Sequence, residues 1–225
     1  MLSLGIDSSA VTASCALVRD GAVLACSSVT NKMTHSETLM PMISSLFDIV
    51  GLTVDELDFI SVSAGPGSFT GLRIGISTVK GLAFKNDIPC VGVSTLEALA
   101  YNLVDCEGAI ICPCMDARRG EFYNALFESV DGRLVRLCDD RAVTGKALTE
   151  ELRDKKVLVN GDGAVKFAES FLPTAKLASP TSRLQNAASV ALLGEEYYKA
   201  GRSVSSELLM PGYLRASGAE RKITE

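Results

Sequence analysis

Apolar positions along the chain come in two rhythms, short unbroken runs and longer stretches with helical spacing. Leu2–Asp7, Ala13–Val18 and Ala22–Val29 are runs of the first kind and read as strands. Ser8-Ser9 turns the chain between the first two. Asp20-Gly21 makes a tight hairpin between the second pair, because this dipeptide accepts the left-handed backbone of such a turn. The rhythm then changes: Leu39, Met42, Ile43, Leu46, Phe47 and Val50 recur on one helical face. Thr34 and Glu37 have the spacing of a capping box, and Gly51 ends the helix. Pro41 predicts either a kink or a start nearer Thr38.

Phe59–Ser63 is the next strand, stopped by Gly65-Pro66-Gly67, after which Ser68 or Thr70 caps a helix running to about Lys85. Pro89–Val93 is a further strand, and Ser94 or Thr95 caps a helix through Val104. Asp105-Cys106-Glu107-Gly108 is a polar break, and after it the opening pattern returns. Ala109–Asp116 is a strand ending in aspartate, Ala117–Gly120 a turn, Glu121–Phe127 a returning strand, and Asp131-Gly132 a hairpin into Leu134–Leu137. A period of about a hundred residues predicts two copies of one lobe, 1–105 and 106–225, each a mixed sheet covered by helices in an α/β fold. The second half continues with a helix at Thr149–Asp154, a strand at Lys156–Asn160, and a turn at Gly161-Asp162-Gly163 into a helix over Ala164–Phe171. Thr174–Ser182 reads as extended. Ser182 caps a last helix from Leu184 to Ala200, whose stripe is Leu184, Ala188, Ala191, Leu192 and Glu195.

Composition narrows the function classes. With 225 residues, 47% of them hydrophobic and 22% charged, the chain is globular. No apolar run reaches the roughly 20 residues of a membrane span, and the N-terminus lacks a basic region followed by a signal core, so a cytoplasmic protein without a membrane role is expected. The seven cysteines include no Cys-x-x-Cys pair and sit mostly in apolar runs, as reduced buried thiols do. The net charge of −5 and the lack of a basic stripe make the chain a poor RNA binder by itself. His35 is the one histidine, so a histidine pair on metal cannot form, and a serine or cysteine nucleophile would have this residue alone as a histidine base.

The strand–turn–helix at Gly65–Gly75 has two physical readings: backbone amides presented to an anion, or a helix packed closely on a sheet. Its wording, Gly-Pro-Gly-Ser-Phe-Thr-Gly-Leu-Arg-Ile-Gly, resembles the signature of the TsaB (YeaZ) family. The His-Ser-Glu segment at 35–37, Gly-Asp-Gly-Ala at 161–164 and Tyr-Leu-Arg at 213–215 extend the likeness over nearly the whole chain. The resemblance implies a two-lobed actin, Hsp70 and sugar-kinase-like fold, also called ASKHA or ribonuclease-H-like. It further implies a non-catalytic subunit in making threonylcarbamoyladenosine on tRNA. Such a subunit dimerises with a TsaD-type catalytic subunit, works with a TsaE-type ATPase, forms a homodimer when alone and meets tRNA only indirectly.

In that superfamily a nucleotide lies between the lobes, and two aspartate-bearing hairpins hold its phosphates and magnesium. Asp7 and Asp116 stand at the matching places, and Gly161 and Gly163 resemble the turn near the adenosine. ATP or ADP binding is one reading, an inherited scaffold without a cofactor the other. The second is favoured locally, since Asp7-Ser-Ser-Ala-Val has no glycine to open its amides. The alternative function is an ATP-dependent phosphotransferase or ATPase. For the partner interface the expectation falls on Leu39, Met42, Ile43 and Leu46 of the first helix and Gly71, Leu72, Gly75, Val79 and Leu82 of the second. The alternative for Gly75 is packing on its own sheet.

Overall fold

A computed structural model describes residues 1–31 and 33–215. Strands β1 (Leu2–Asp7), β2 (Ala13–Arg19) and β3 (Ala22–Val29) form the antiparallel start, with Asp20 and Gly21 both at positive φ in the hairpin. β4 (Phe59–Gly65) then pairs parallel to β1, and β5 (Cys90–Ser94) parallel to β4, for an order β3-β2-β1-β4-β5. β1 is buried throughout, which is why its apolar run does not alternate.

Helix α1 (His35–Val50) starts where the capping box places it. The Glu37 carboxylate accepts the Thr34 N–H at 2.9 Å, and Pro41 lies inside the helix without ending it. α2 (Phe69–Ala83) is capped by Ser68 and stops short of the expected Lys85. Leu39, Ile43, Leu46, Ile76 and Val79 from these two helices share one core with Leu4, Ile6 and Leu17 of the sheet. α3 (Thr95–Tyr101) is shorter than expected. Its cap Ser94 accepts from the Glu97 N–H at 3.2 Å and donates to Asp140 at 2.6 Å.

The second sheet repeats the first with more strands: β6 (Ile110–Asp116), β7 (Glu121–Asn124), β8 (Phe127–Val130), β9 (Arg133–Arg136), β10 (Arg141–Thr144), β11 (Val157–Asn160) and β12 (Lys176–Leu177). Its main order is β10-β7-β6-β11-β12. Along β6, Cys112 and Cys114 enter one core while Ile111 and Met115 enter another, the period-two alternation of a strand covered on both faces. The expected strand Glu121–Phe127 is interrupted. Cys114 pairs with Asn124 and Ile111 with Phe127 in one continuing register, but Pro113 between them has no N–H for the ladder. Asn124 instead donates through its side-chain amide to the Pro113 and Ala125 carbonyls.

Helix α4 (Gly145–Glu151) begins earlier than Thr149, because Thr144 caps it by accepting the Ala147 N–H. α5 (Ala164–Ser170) follows the Gly161–Gly163 turn as expected. The last helix departs most from expectation. Pro180–Arg183 forms a single turn (α6), Leu184 is extended with its carbonyl taken by the Asn102 amide at 2.9 Å, and Asn186 caps α7 (Ala187–Lys199). α7 packs on β1, β2 and β4, with Tyr198 stacked on Phe59 at 4.6 Å. The lobe expected at 106–225 therefore lends its last helix to the first sheet, where α7 covers the face opposite α1 and α2. Among the described residues no helix is long and apolar enough to cross a membrane.

Candidate functional site

The glycine signature folds onto the loop of the first hairpin. Ser68 donates its N–H to the Ser9 carbonyl at 2.7 Å, and Ser8 Oγ donates to the Gly71 carbonyl at 2.8 Å. A Cβ on Gly67 would stand 2.5 Å from the Ser9 oxygen. One on Gly71 would stand 2.1 Å from the Ser8 oxygen, and one on Gly75 2.5 Å from Ser8 Oγ. Contacts that short leave no room for a methyl group. The turn serves close packing of α2 on its own chain, not an open anion cradle. From the other side, His35 Nε2 meets the Ala10 carbonyl at 2.6 Å.

This packing determines what Asp7 can do. The carboxylate is buried, its Oδ1 accepts from the Ser9 N–H at 2.9 Å and Ser9 Oγ at 2.7 Å, and its Oδ2 accepts from Ser63 Oγ at 2.5 Å. Burial pushes the carboxyl above its ordinary value, against the pull of the Ser63 and Ser9 hydrogen bonds. Asp116, at the matching place on β6, is partly exposed and takes Lys166 Nζ at 2.9 Å and the Arg118 N–H at 2.8 Å. The two carboxylates thus have unlike roles, one enclosed and one in an ion pair. Asp7 is buried, its oxygens serve Ser9 and Ser63, and it does not line the cleft between the lobes.

Between the lobes lies a cleft of about 1050 Å³, with Ser9, Gly67 and Phe69 on one side, Asp116, Arg118 and Asp162 on the other, and Tyr213–Arg215 along its edge. Gly161 and Gly163 flank its lining residue Asp162 and permit close approach of the turn to β6. A Cβ on Gly161 would stand 2.3 Å from the Cys114 oxygen, and one on Gly163 2.8 Å from the Asp116 nitrogen. These two glycines hold the turn against β6. The residue that faces the cleft is the one between them, Asp162. Its carboxyl is pushed up to about 6, first by burial and further by the neighbouring Asp116, and its Oδ1 has no hydrogen-bond partner among the described residues. The sequence signal for it was a carboxylate enclosed by glycines after a buried strand. Ser63 and Ser9, which close off Asp7, carried no signal, since serine in a strand or turn is unremarkable in sequence.

The residues expected at a partner interface are placed inward. Leu39, Ile43, Leu46, Leu72 and Val79 are buried in the chain's own core, and Gly71 and Gly75 face Ser8. Met42 and Leu82 are half-buried against the same core. The helical stripes were thus core stripes, and the packing alternative for Gly75 is the one observed. What α1 and α2 show to solvent is a different set, which includes Met40, Ile49, Arg73, Ser77 and Phe84.

Comparison with known proteins fits this geometry. Residues 28–223 match the family model described as TsaD, tRNA N6-adenosine threonylcarbamoyltransferase. The chain is 35% identical to the tRNA threonylcarbamoyladenosine biosynthesis protein TsaB of Bacillus subtilis, with 100% of this chain and 99% of that one covered. It belongs to the TsaB (YeaZ) family. The TsaB protein of Escherichia coli is 29% identical over 99% of this chain and 98% of its own. The solved structure of YeaZ from Pseudomonas aeruginosa superposes with a TM-score of 0.81 at 26% identity, covering 95% of this chain and 99% of that one. The two-lobed actin-like fold is shared more widely. The ROK hexokinase of Thermus thermophilus superposes with a TM-score of 0.51 at 11% identity, over 89% of this chain and 100% of its own.

Proposed function

We propose that the protein is a non-catalytic subunit in the biosynthesis of threonylcarbamoyladenosine on tRNA, acting in the cytoplasm by dimerising with a TsaD-type catalytic subunit. The observation that carries this reading is the enclosed Asp7. In a chain that matches TsaB proteins end to end, the first hairpin's carboxylate is occupied by Ser9 and Ser63, and its loop by the glycine signature. The close packing of the signature on that loop supports a structural role for it. The net charge of −5 agrees with a subunit that meets tRNA through its partner, since phosphate contacts require positive surface. A TsaE-type ATPase completes the assembly, and a homodimer uses the same surface when the chain is alone.

The docking surface is the exposed side of α1 and α2. Ile49 and Phe84, at their C-terminal ends, are 76% and 78% exposed. Large apolar side chains so exposed gain by being covered. Ile49→Asp and Phe84→Asp, which touch no core position, should leave folding intact by circular dichroism and weaken association with the TsaD-type partner at least about tenfold. Size-exclusion chromatography with light scattering reads the outcome, and variants that pair as the parent does would remove this surface from the proposal. The ATPase or phosphotransferase alternative predicts magnesium-dependent ATP turnover by the isolated chain.

A further inference from the structure

The two lobes are joined differently at the back and the front of the cleft. At the back, Leu96, Leu99 and Leu103 following β5 are buried in one cluster with Ile111, Met115 and Phe127 of the second sheet. Arg136 adds ion pairs to Glu97 at 2.7 Å and Asp140 at 2.6 Å. At the front the chain returns after α7 and runs across both lobes. Leu209 is buried in the first lobe's core, and Gly212 donates its N–H to the Ala64 carbonyl at 2.7 Å. Tyr213 stacks on Phe69 with ring centroids 4.8 Å apart, and its hydroxyl accepts from Arg73 Nε at 3.1 Å. Arg215 crosses to the other lobe, where its guanidinium pairs with Glu121 of β7 and lies 6.0 Å from the Tyr123 ring.

We propose that Tyr213–Arg215 is a releasable clasp that ties the lobes across the open edge of the cleft. The back joint is a continuous buried apolar core, which opens only when the protein unfolds. At the front the segment is held on the first lobe by two hydrogen bonds and one aromatic stack on a partly exposed tyrosine, and it reaches the other lobe through one partly exposed ion pair, contacts of the kind that open locally. Release separates Arg215 from Glu121 and frees the edge of the cleft that holds Asp116, Asp162 and Arg118, while Leu209 stays anchored. Of the solvent-facing side chains of α1 and α2 named above, Arg73 takes part in the clasp, while Ile49 and Phe84 do not.

Hydrogen exchange on the full-length chain tests the clasp, using the parent, Arg215→Glu, Glu121→Arg and the double variant that exchanges the two charges. Each single reversal should speed exchange at the Gly212–Leu214 amides and in the 117–121 turn by about three- to tenfold, with β1 and β4 unchanged, and the double variant should return to the parent rates. Probes on exposed Ser44 of α1 and Lys146 of α4 should move apart in the single variants and return in the double. Single variants that exchange like the parent, a double variant that fails to restore them, or exchange that rises through both lobes together would each overturn the clasp.

Discussion

Ser8 fastens the first hairpin to the first turn of α2: its hydroxyl donates to the Gly71 carbonyl at 2.8 Å, while its own carbonyl occupies the space a Gly71 side chain would need. The signature of the family is therefore a joint inside the monomer. The catalytic-looking Asp7 lies immediately before that joint and is enclosed by it.

Substitution in α2 tests the joint directly. Gly71→Ala would force a methyl group into the Ser8 backbone and should cost about 2–4 kcal/mol, as overpacking against an immovable neighbour does. Gly75→Leu is expected to unfold or strongly destabilise the chain for the same reason. Gly81, in the same helix, has nothing within 4 Å of its virtual Cβ, so Gly81→Ala should stabilise by up to about 1 kcal/mol. Urea denaturation of the three variants gives the ranking. Equal effects at Gly71 and Gly81 would contradict the packing described.

Asp7 is expected to be structural. Asp7→Asn keeps an acceptor for Ser9 and should change stability by less than about 1 kcal/mol, while Asp7→Ala strands the Ser9 N–H and two hydroxyls and should cost about 2–4 kcal/mol. The isolated parent should hydrolyse ATP no faster than background, far below the roughly 1 per second of an ordinary enzyme. A phosphate-release assay showing turnover at that rate, abolished by Asp7→Asn, would reinstate the ATPase reading.

Asp162 sets a pH dependence. Its carboxyl titrates near 6 in the folded chain against an ordinary value of 3.8, so the folded state holds a proton that the unfolded state has released between those values. Stability from this group is thus lost as pH rises through that window and is level above it. Asp162→Asn removes the loss and should be about 3 kcal/mol more stable than the parent at pH 7, with the difference vanishing below the ordinary value of 3.8. Denaturation midpoints of the pair across that range decide it. An Asn variant less stable than the parent at neutral pH would mean the carboxylate is charged and satisfied in the fold.

Much of the fold was already determined by local chemistry. Asp20-Gly21 and Asp131-Gly132 became hairpins because both residues of each pair take positive φ, and Thr34 with Glu37 began α1 despite Pro41, because capping acts within one turn of chain. The doubled opening pattern gave two sheets, and the signature gave the family. Tertiary structure decided what those pieces face. Apolar stripes on α1 and α2 look alike whether they meet their own sheet or a partner, and only the packing assigned Leu39, Leu72 and Val79 to the core and left Ile49 and Phe84 outside. The same holds for Asp7, closed by Ser63 from 56 residues away, for α7, which crosses back to the first sheet, and for Arg215, which meets Glu121 across the cleft. Burial and hydrogen-bond partners across such separations depend on how the chain returns on itself, and hydrophobic periodicity carries no record of that return.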